Sequence, residues 1–230
     1  IMLQVLTLAA AIAACVWAGG RRYLGAAILI VPACAFIVGP PMLTPFSYFP
    51  VNPLRTVLPA IALGLAAWVF SRTGHNARIP WHIAAGVAAG VAALNNPDFG
   101  LPCAAIIVAT SALAAPSQAR AKAFLITLGG VLVPFALWAI VTWAAGSPAN
   151  WFEYVLFQRL FGTNGYLNVP MLAIGWHTAA VVLFATAFSI GVALVYRTAF
   201  SSGGRMRRHG VLLTLVGGWS VLTLPYYVGR

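Results

Sequence analysis

The sequence predicts an all-α protein: a polytopic transmembrane helix bundle of about eight spans, with an external amphipathic juxtamembrane helix. Two observations support this prediction. Hydrophobic residues make up 62% of the 230-residue chain and charged residues only 7%, whereas roughly 25% of a typical soluble domain is charged. The charged residues also lie almost entirely in short gaps between long apolar segments. The surplus of apolar surface is therefore expected to face lipid.

Eight apolar segments are the predicted spans. They cover residues 2–20, 24–39, 57–70, 80–94, 101–115, 123–145, 171–196 and 211–228. Several are shorter than the roughly 20 residues that a straight span needs, so we expect flanking residues to extend them. Gly86 and Gly90 give the fourth segment a face of small residues, which predicts a helix packed closely inside the bundle.

Basic residues occupy every second gap and predict an orientation. Ten of the thirteen Lys and Arg residues lie in the odd-numbered gaps. They are Arg21, Arg22, Arg72, Arg78, Arg120, Lys122, Arg197, Arg205, Arg207 and Arg208. Because short cytoplasmic loops are enriched in Lys and Arg, these gaps are predicted to be cytoplasmic, with His75, His82 and His209 as loop residues there. The gaps 40–56, 95–100 and 146–170 are then outside, and they contain both acids, Asp98 and Glu153.

The composition also argues against several classes of function. The net charge of +11 comes without a basic patch interleaved with aromatics, so no nucleic-acid partner is expected. Cys15, Cys34 and Cys103 lie inside apolar segments without CxxC spacing, which predicts neither a disulfide framework nor a metal site. No cofactor or divalent metal is indicated, since the motifs that bind them are missing. We expect residues 1–230 to be a single transmembrane domain from a larger protein.

The sequence LNNPDFGLP, residues 94–102, predicts a tight outer turn between two helices. Asn95 and Asn96 are expected to cap the preceding helix, Pro97 to end it, and Asp98 to cap the next helix. A functional interpretation stays open beside this structural one. Asp98 could line a polar cavity at the outer face, because ionisable groups beside an apolar bundle are candidates for function.

The outer gap 146–170 is predicted to contain the amphipathic helix, which would lie in the membrane interface. Its apolar face consists of Trp151, Tyr154, Val155, Phe157, Leu160 and Phe161. Glu153 and Gln158 fall on or near the opposite face. Arg159 either reaches lipid phosphates from this helix or binds a ligand phosphate through bidentate hydrogen bonds.

Three further residues complete the candidate binding set of Asn96, Asp98, Arg159, Tyr166, His177 and Arg230. His177 begins the seventh segment and is either an interfacial hydrogen-bonding group or a ligand contact. Tyr166 could hydrogen-bond a sugar or only support a turn. Arg230 could bind a phosphate or only anchor the chain end beside an aromatic belt.

Three stretches of the chain resemble polyprenyl-phosphate-sugar-dependent glycosyltransferases of the GT-C superfamily. Residues 86–102, GVAAGVAALNNPDFGLP, resemble the helix–tight turn–helix of those enzymes. Residues 157–161, FQRLF, resemble a Gln-Arg-Phe-like element on their external juxtamembrane helix, and residues 224–230, LPYYVGR, resemble a late helix of actinobacterial members. Two features depart from the family: the turn has no Lys, and no residue matches the family's catalytic acid. The resemblance therefore implies a catalytic acid outside this chain.

This resemblance implies an inverting transfer of a sugar, such as arabinose or mannose, from a polyprenyl-phosphate donor. The acceptor would be a cell-envelope glycan, lipid or protein, as in cell wall biosynthesis, at the periplasmic face of the bacterial plasma membrane. Arg159 and Arg230 would neutralise the leaving phosphate, and Asp98 and His177 would bind hydroxyl groups. The expected partners are the lipid-linked donor, the acceptor and membrane lipids. Two alternatives stay open: a flippase or small-molecule transporter, and a non-catalytic membrane scaffold.

Overall fold

A computed structural model describes residues 54–72, 79–148, 150–153, 156, 176–198 and 204–228. The α-helices with defined bounds are α1 (Leu54–Phe70), α2 (Ile79–Asn95), α3 (Pro97–Ala114), α4 (Arg120–Ala144), α5 (Trp176–Thr198) and α6 (Gly204–Val228). A 3₁₀ turn, Ser117–Ala119, joins α3 to α4. The described residues contain helices and no strand, which confirms the all-α prediction for this part of the chain. Six predicted apolar segments correspond to these six helices, and the segments 2–20 and 24–39 lie outside the described residues.

Helix α3 is the centre of the bundle, because it packs against all five other helices. Cys103, Ile107 and Thr110 of α3 are completely buried. The thiol of Cys103 donates a long hydrogen bond, 3.7 Å, to the carbonyl of Pro59 in α1.

The bundle has two chemically different ends, which we name by one residue each. At the Arg207 end lie the C-termini of α1, α3 and α5 and the N-termini of α2, α4 and α6; at the Asn96 end lie the opposite termini of the same helices. The basic side chains described by the structure all lie at the Arg207 end: Arg72, Arg120, Lys122, Arg197, Arg207 and Arg208. Asp98 and Glu153 lie in the half toward the Asn96 end. Arg55, in the first turn of α1, lies at the Asn96 end, so the predicted separation of bases from acids is present in the described part of the chain with this one exception.

Helices α2 and α4 run parallel and touch through their backbones. A Cβ atom added to Gly86 would overlap the carbonyl of Thr127 and lie 2.9 Å from the Cα of Gly130. Gly90 is equally close to the backbone carbonyl of Val131. The predicted small-residue face on α2 is confirmed, since only glycine allows this approach of two helix axes.

Helices α5 and α6 form a second close pair, and these two helices run antiparallel. A Cβ added at Gly191 of α5 would meet the backbone of α6 at Leu213, 2.8 Å away. On α6, a Cβ added to Gly210 would lie 2.9 Å from the backbone nitrogen of Val195, and one added to Gly217 would lie 2.7 Å from that of Phe188. The two glycine-lined pairs flank α3, which completes the core between them.

Two helical stretches are long and apolar enough to cross a membrane, Pro97–Ala114 and Ser117–Ala144. Helix α3 is largely buried within the bundle, as the core helix of a soluble protein also is. Helix α4 differs, because Leu125, Ile140, Val141 and Trp143 on it are each more than 60% exposed. A helix with large apolar side chains on its outer surface as well as its inner surface requires an apolar surrounding or a further apolar partner.

Candidate functional site

The turn between α2 and α3 consists of the single residue Asn96, and its hydrogen bonds link the two helices. The extended backbone of Asn96 (φ −155°) places its side-chain oxygen to accept from the N–H of Phe99, 3.4 Å away. The N–H of Asn96 bonds to the carbonyl of Ala92 at 3.0 Å, and its carbonyl accepts from the N–H of Gly100 at 2.8 Å. Asn96 therefore ends one helix and caps the start of the next.

The structure corrects the predicted roles of the residues around this turn. Asn96, rather than Asp98, caps α3, and Asn95 remains inside α2 as its last residue. The physical reason is Pro97, which occupies the first helical position because its fixed φ and missing N–H suit that site. Asp98 then falls at the second helical position, where its carboxylate is near the positive end of the helix dipole.

Gly100 allows α2 and α3 to leave this turn in close contact. A Cβ atom at this position would overlap the carbonyl of Ala92 and the Cα of Ala93 on α2. Any larger residue would push the two helices apart next to Asp98. Gly100 thus sets the width of the turn that places Asp98 and Asn96 at one end of the bundle.

The side chain of Trp219 on α6 stabilises the first turn of α3. The sequence did not predict this contact. Its indole N–H donates to the carbonyl of Phe99 at 2.9 Å. The two rings also pack, with their centroids 6.4 Å apart. A partly buried Trp needs an acceptor for its N–H. The sequence signal for this contact was therefore a Trp in the middle of an apolar segment. The residue neighbouring Asp98 is thereby fixed from two sides, by Asn96 and by Trp219.

Of the predicted site residues, the structure brings together Asn96 and Asp98, which share the first turn of α3. Asp98 is half-buried and Asn96 is also partly exposed. His177 is the second residue of α5, and its side chain lies outside what the structure describes. Arg159, Tyr166 and Arg230 also lie outside the described residues. The proximity of these four residues to Asp98 stays a prediction.

Within the predicted amphipathic helix, the structure describes residues 151–153 and 156, which are helical. The side-chain oxygen of Asn150 accepts from the N–H of Glu153 at 3.1 Å and caps the start of this helix. Trp151 packs against Trp138 and Phe135 of α4, with ring centroids 5.1 and 5.9 Å apart. The apolar residue that opens the predicted helix thus lies against the bundle, and Glu153 is exposed.

The opposite end of the bundle contains the buried polar groups Arg207 and His82. Arg207 of α6 donates from Nε to the carbonyl of Phe70 at 3.2 Å and from a terminal nitrogen to that of Ala114 at 2.5 Å. His82 of α2 hydrogen-bonds through Nδ1 to the hydroxyl of Thr127 at 3.2 Å. The prediction of His82 and His209 as loop residues is wrong, because His82 is a buried residue of α2 and His209 lies within α6.

The part of the chain that the structure describes contains no group of three or more His, Cys, Asp or Glu side chains able to hold a metal ion. Comparison of the chain with protein-family models, with curated proteins and with solved structures gave no match. The function must therefore be argued from the residues of this chain.

Proposed function

We propose that this chain forms part of a polytopic membrane glycosyltransferase similar to the GT-C superfamily. It transfers a sugar from a polyprenyl-phosphate donor to a cell-envelope acceptor at the outer face of the bacterial plasma membrane. The observation that carries the proposal is the position of the α2–α3 turn. The segment that resembles the family's tight turn presents Asp98 at the bundle end opposite the basic side chains.

The membrane placement is supported by the surface of the bundle. Helix α4 exposes large apolar residues along its length, including Leu125, Leu132 and Ile140. Lipid stabilises such a surface, whereas water would not. Apart from Arg55 at the start of α1, the described bases lie at the Arg207 end, as the enrichment of Lys and Arg in cytoplasmic loops requires. The Asn96 end, with Asp98, is then the outer end.

The proposed chemistry at the outer end is an inverting displacement at the sugar. A carboxylate outside this chain removes the proton of the acceptor hydroxyl. Asp98 binds a sugar or acceptor hydroxyl, because carboxylate oxygens accept hydrogen bonds from hydroxyl groups. Arg159, and with it Arg230, stabilises the negative charge that develops on the leaving polyprenyl phosphate.

Arg159→Ala tests this proposal in the full-length protein. Membranes containing the protein are incubated with radiolabelled polyprenyl-phosphate arabinose or mannose, and transfer to endogenous acceptor is counted. We expect transfer to fall by about 100-fold or more, because one stabilising group for the developing charge is lost. Arg159→Lys keeps the charge without the bidentate geometry and should retain part of the activity.

The matched control is Arg72→Ala, which removes an arginine from the opposite end of the bundle. There the guanidinium of Arg72 packs on the Trp68 ring, with its carbon 3.8 Å from the ring centroid. Because Arg72 is at the end opposite the proposed site, Arg72→Ala should leave the rate of sugar transfer near that of the wild type. Wild-type turnover in Arg159→Ala would contradict the phosphate-binding role. Movement of the intact donor lipid across the membrane, without transfer of its sugar, would favour the transporter alternative over the enzyme.

A further inference from the structure

The Arg207 end of the bundle has a charge that the chain itself does not neutralise. The sequence contains two acidic residues, Asp98 and Glu153. The structure describes both, and both lie in the half toward the Asn96 end. No side-chain carboxylate of this chain therefore faces the basic residues of the Arg207 end. Because clustered cations repel one another in surroundings of low dielectric constant, an anion from outside residues 1–230 would stabilise this end.

Arg120, at the start of α4, has an unused hydrogen-bond donor at this end. Its Nε is buried and has no hydrogen-bond partner among the described residues. The guanidinium carbon lies 6.0 Å from the centroid of the Tyr196 ring on α5. Arg207, by contrast, donates from Nε and from a terminal nitrogen to two helix carbonyls. Leaving a buried donor of a charged group unpaired is costly, so the geometry at Arg120 favours an additional acceptor.

Arg120 and Tyr196 lie at the Arg207 end of the space between α4 and α5, which we call the α4–α5 furrow. Helices α4 and α5 both pack against α3, but over their described residues they do not form a packed pair with each other. One helical turn inward from Arg120 is Phe124, which is 39% exposed. One turn inward from Tyr196 are the apolar residues Val192, which is partly buried, and Ala193, which is exposed. The furrow therefore begins at a cation and continues between apolar side chains.

We propose that this furrow binds an anionic phospholipid, with the phosphate at Arg120 and an acyl chain between α4 and α5. An acidic protein would match the charge of the Arg207 end but not the apolar walls beneath it. A phospholipid matches both, because its phosphate and its chain meet at the depth where the basic and apolar side chains meet. The proposal rests on the membrane placement of the bundle and is independent of glycosyl transfer.

Native mass spectrometry of the full-length protein, purified in detergent, tests the site. Phosphatidylglycerol and phosphatidylcholine with the same acyl chains are titrated separately. We expect tighter binding of phosphatidylglycerol, and a loss of about fivefold in its apparent affinity in Arg120→Ala, the size expected for one basic residue at a membrane surface. Binding of phosphatidylcholine should be unchanged. If Arg120→Ala is not recovered folded, Phe124→Gln should lower phosphatidylglycerol affinity from the acyl-chain side.

Lys122→Ala is the matched control, because Lys122 is exposed on the same turn of α4. It should retain more than half of the phosphatidylglycerol affinity. Equal affinity for the two lipids, or equal loss in Arg120→Ala and Lys122→Ala, would overturn the site. Full competition by millimolar inorganic phosphate would show an anion site without lipid selectivity and would also overturn it. Release of the protein from membranes by alkaline carbonate would contradict the membrane placement itself, a separate failure.

Discussion

Arg207 is a charged side chain inside the bundle, and the helix ends around it explain its position. The carbonyls at the C-terminus of a helix have no partner within that helix and carry a partial negative charge. The guanidinium of Arg207 bonds to one such carbonyl of α1, at Phe70, and one of α3, at Ala114. One residue of α6 therefore caps two other helices at the same end of the bundle.

Replacing Arg207 should destabilise the protein. Arg207→Ala leaves the carbonyls of Phe70 and Ala114 without this donor, and we expect a loss of about 2 to 4 kcal/mol in the free energy of unfolding. Arg207→Lys should lose less, since an ammonium group keeps the charge but cannot hold both carbonyls in the same planar geometry. Unfolding in mixed micelles with increasing dodecyl sulfate measures the difference.

The neighbouring residue provides the control for this prediction. Arg208 is exposed, so Arg208→Ala should change the free energy of unfolding by no more than about 1 kcal/mol. Equal losses in the two variants would mean that general charge at this end, rather than the two hydrogen bonds of Arg207, stabilises the bundle.

Single residues were predictable where a local rule decides them. The tight turn and the helix start near Asn96 follow from Asn, Pro and Asp in sequence, because their backbone preferences act within a few residues. Asp98 was wrongly predicted as the cap of α3, because both Asn and Asp fit a cap position. Pro97 takes the first helical position, and this makes Asn96 the cap. Arg207 and Arg208 are likewise indistinguishable in a run of bases, and only packing shows which one is buried.

At the scale of elements, glycine determines which helices approach most closely. On α2, Gly86 faces Gly130 of α4, and Gly90 faces Val131 and Pro134 of α4. Backbone atoms therefore meet where side chains would otherwise lie. In a membrane, such close packing is a main source of helix association, because lipid is as apolar as the helix surface. The α2–α4 contact is therefore expected to tolerate very little added volume.

The adjacent glycines of α4 test this directly. Gly130→Ala adds a Cβ 2.6 Å from the carbonyl oxygen of Ile83, and overpacking of this kind should cost about 1 to 3 kcal/mol. Gly129→Ala adds the same atom where nothing lies within 4 Å. This variant should be neutral or stabilising by up to about 1 kcal/mol, because alanine favours helix more than glycine does. The midpoint of thermal unfolding in detergent compares them.

Equal shifts of the unfolding midpoint in Gly130→Ala and Gly129→Ala would show that the α2–α4 contact is looser than the structure describes. The two variants control for helix propensity, because both replace glycine with alanine in the same helix. They differ only in the atoms that the new Cβ contacts.

The prediction of the Gly86 and Gly90 face succeeded because the spacing of four residues is visible in the sequence. The second pair, α5 with α6, was not predicted, because its glycines are not spaced by four.

At the scale of the whole molecule, the separation of charge is the feature that links sequence to orientation. Apart from Arg55, the described bases lie at the Arg207 end and the acids lie toward the Asn96 end. This is the distribution expected of a bundle whose Arg207 end faces the cytoplasm. Helix α4 joins the two ends, and the exposed residues Ser117 and Ser147 lie just before its start and just beyond its end.

Cysteine labelling at these two positions should determine the orientation. In a background without Cys15 and Cys34, Ser147→Cys is expected to react with a membrane-impermeant thiol reagent in intact cells. Ser117→Cys should react only after the membrane is made permeable. Cys103 stays unreactive because it is buried. The opposite pattern would reverse the proposed orientation, and labelling of both positions in intact cells would contradict a membrane span between them.

The sequence by itself determined where helices form and how charge divides between their ends. Both follow from local properties: runs of apolar residues favour helix in an apolar surrounding, and bases collect at alternate gaps. The tertiary structure decided that α3 is central, that α4 is exposed, and that Arg207, His82 and Trp219 make contacts inside the bundle. The physical reason is that α3 and α4 are apolar on all faces, so their sequences carry little information about which face is buried. Partner helices supply that information through glycine contacts and the few polar groups that must find hydrogen bonds.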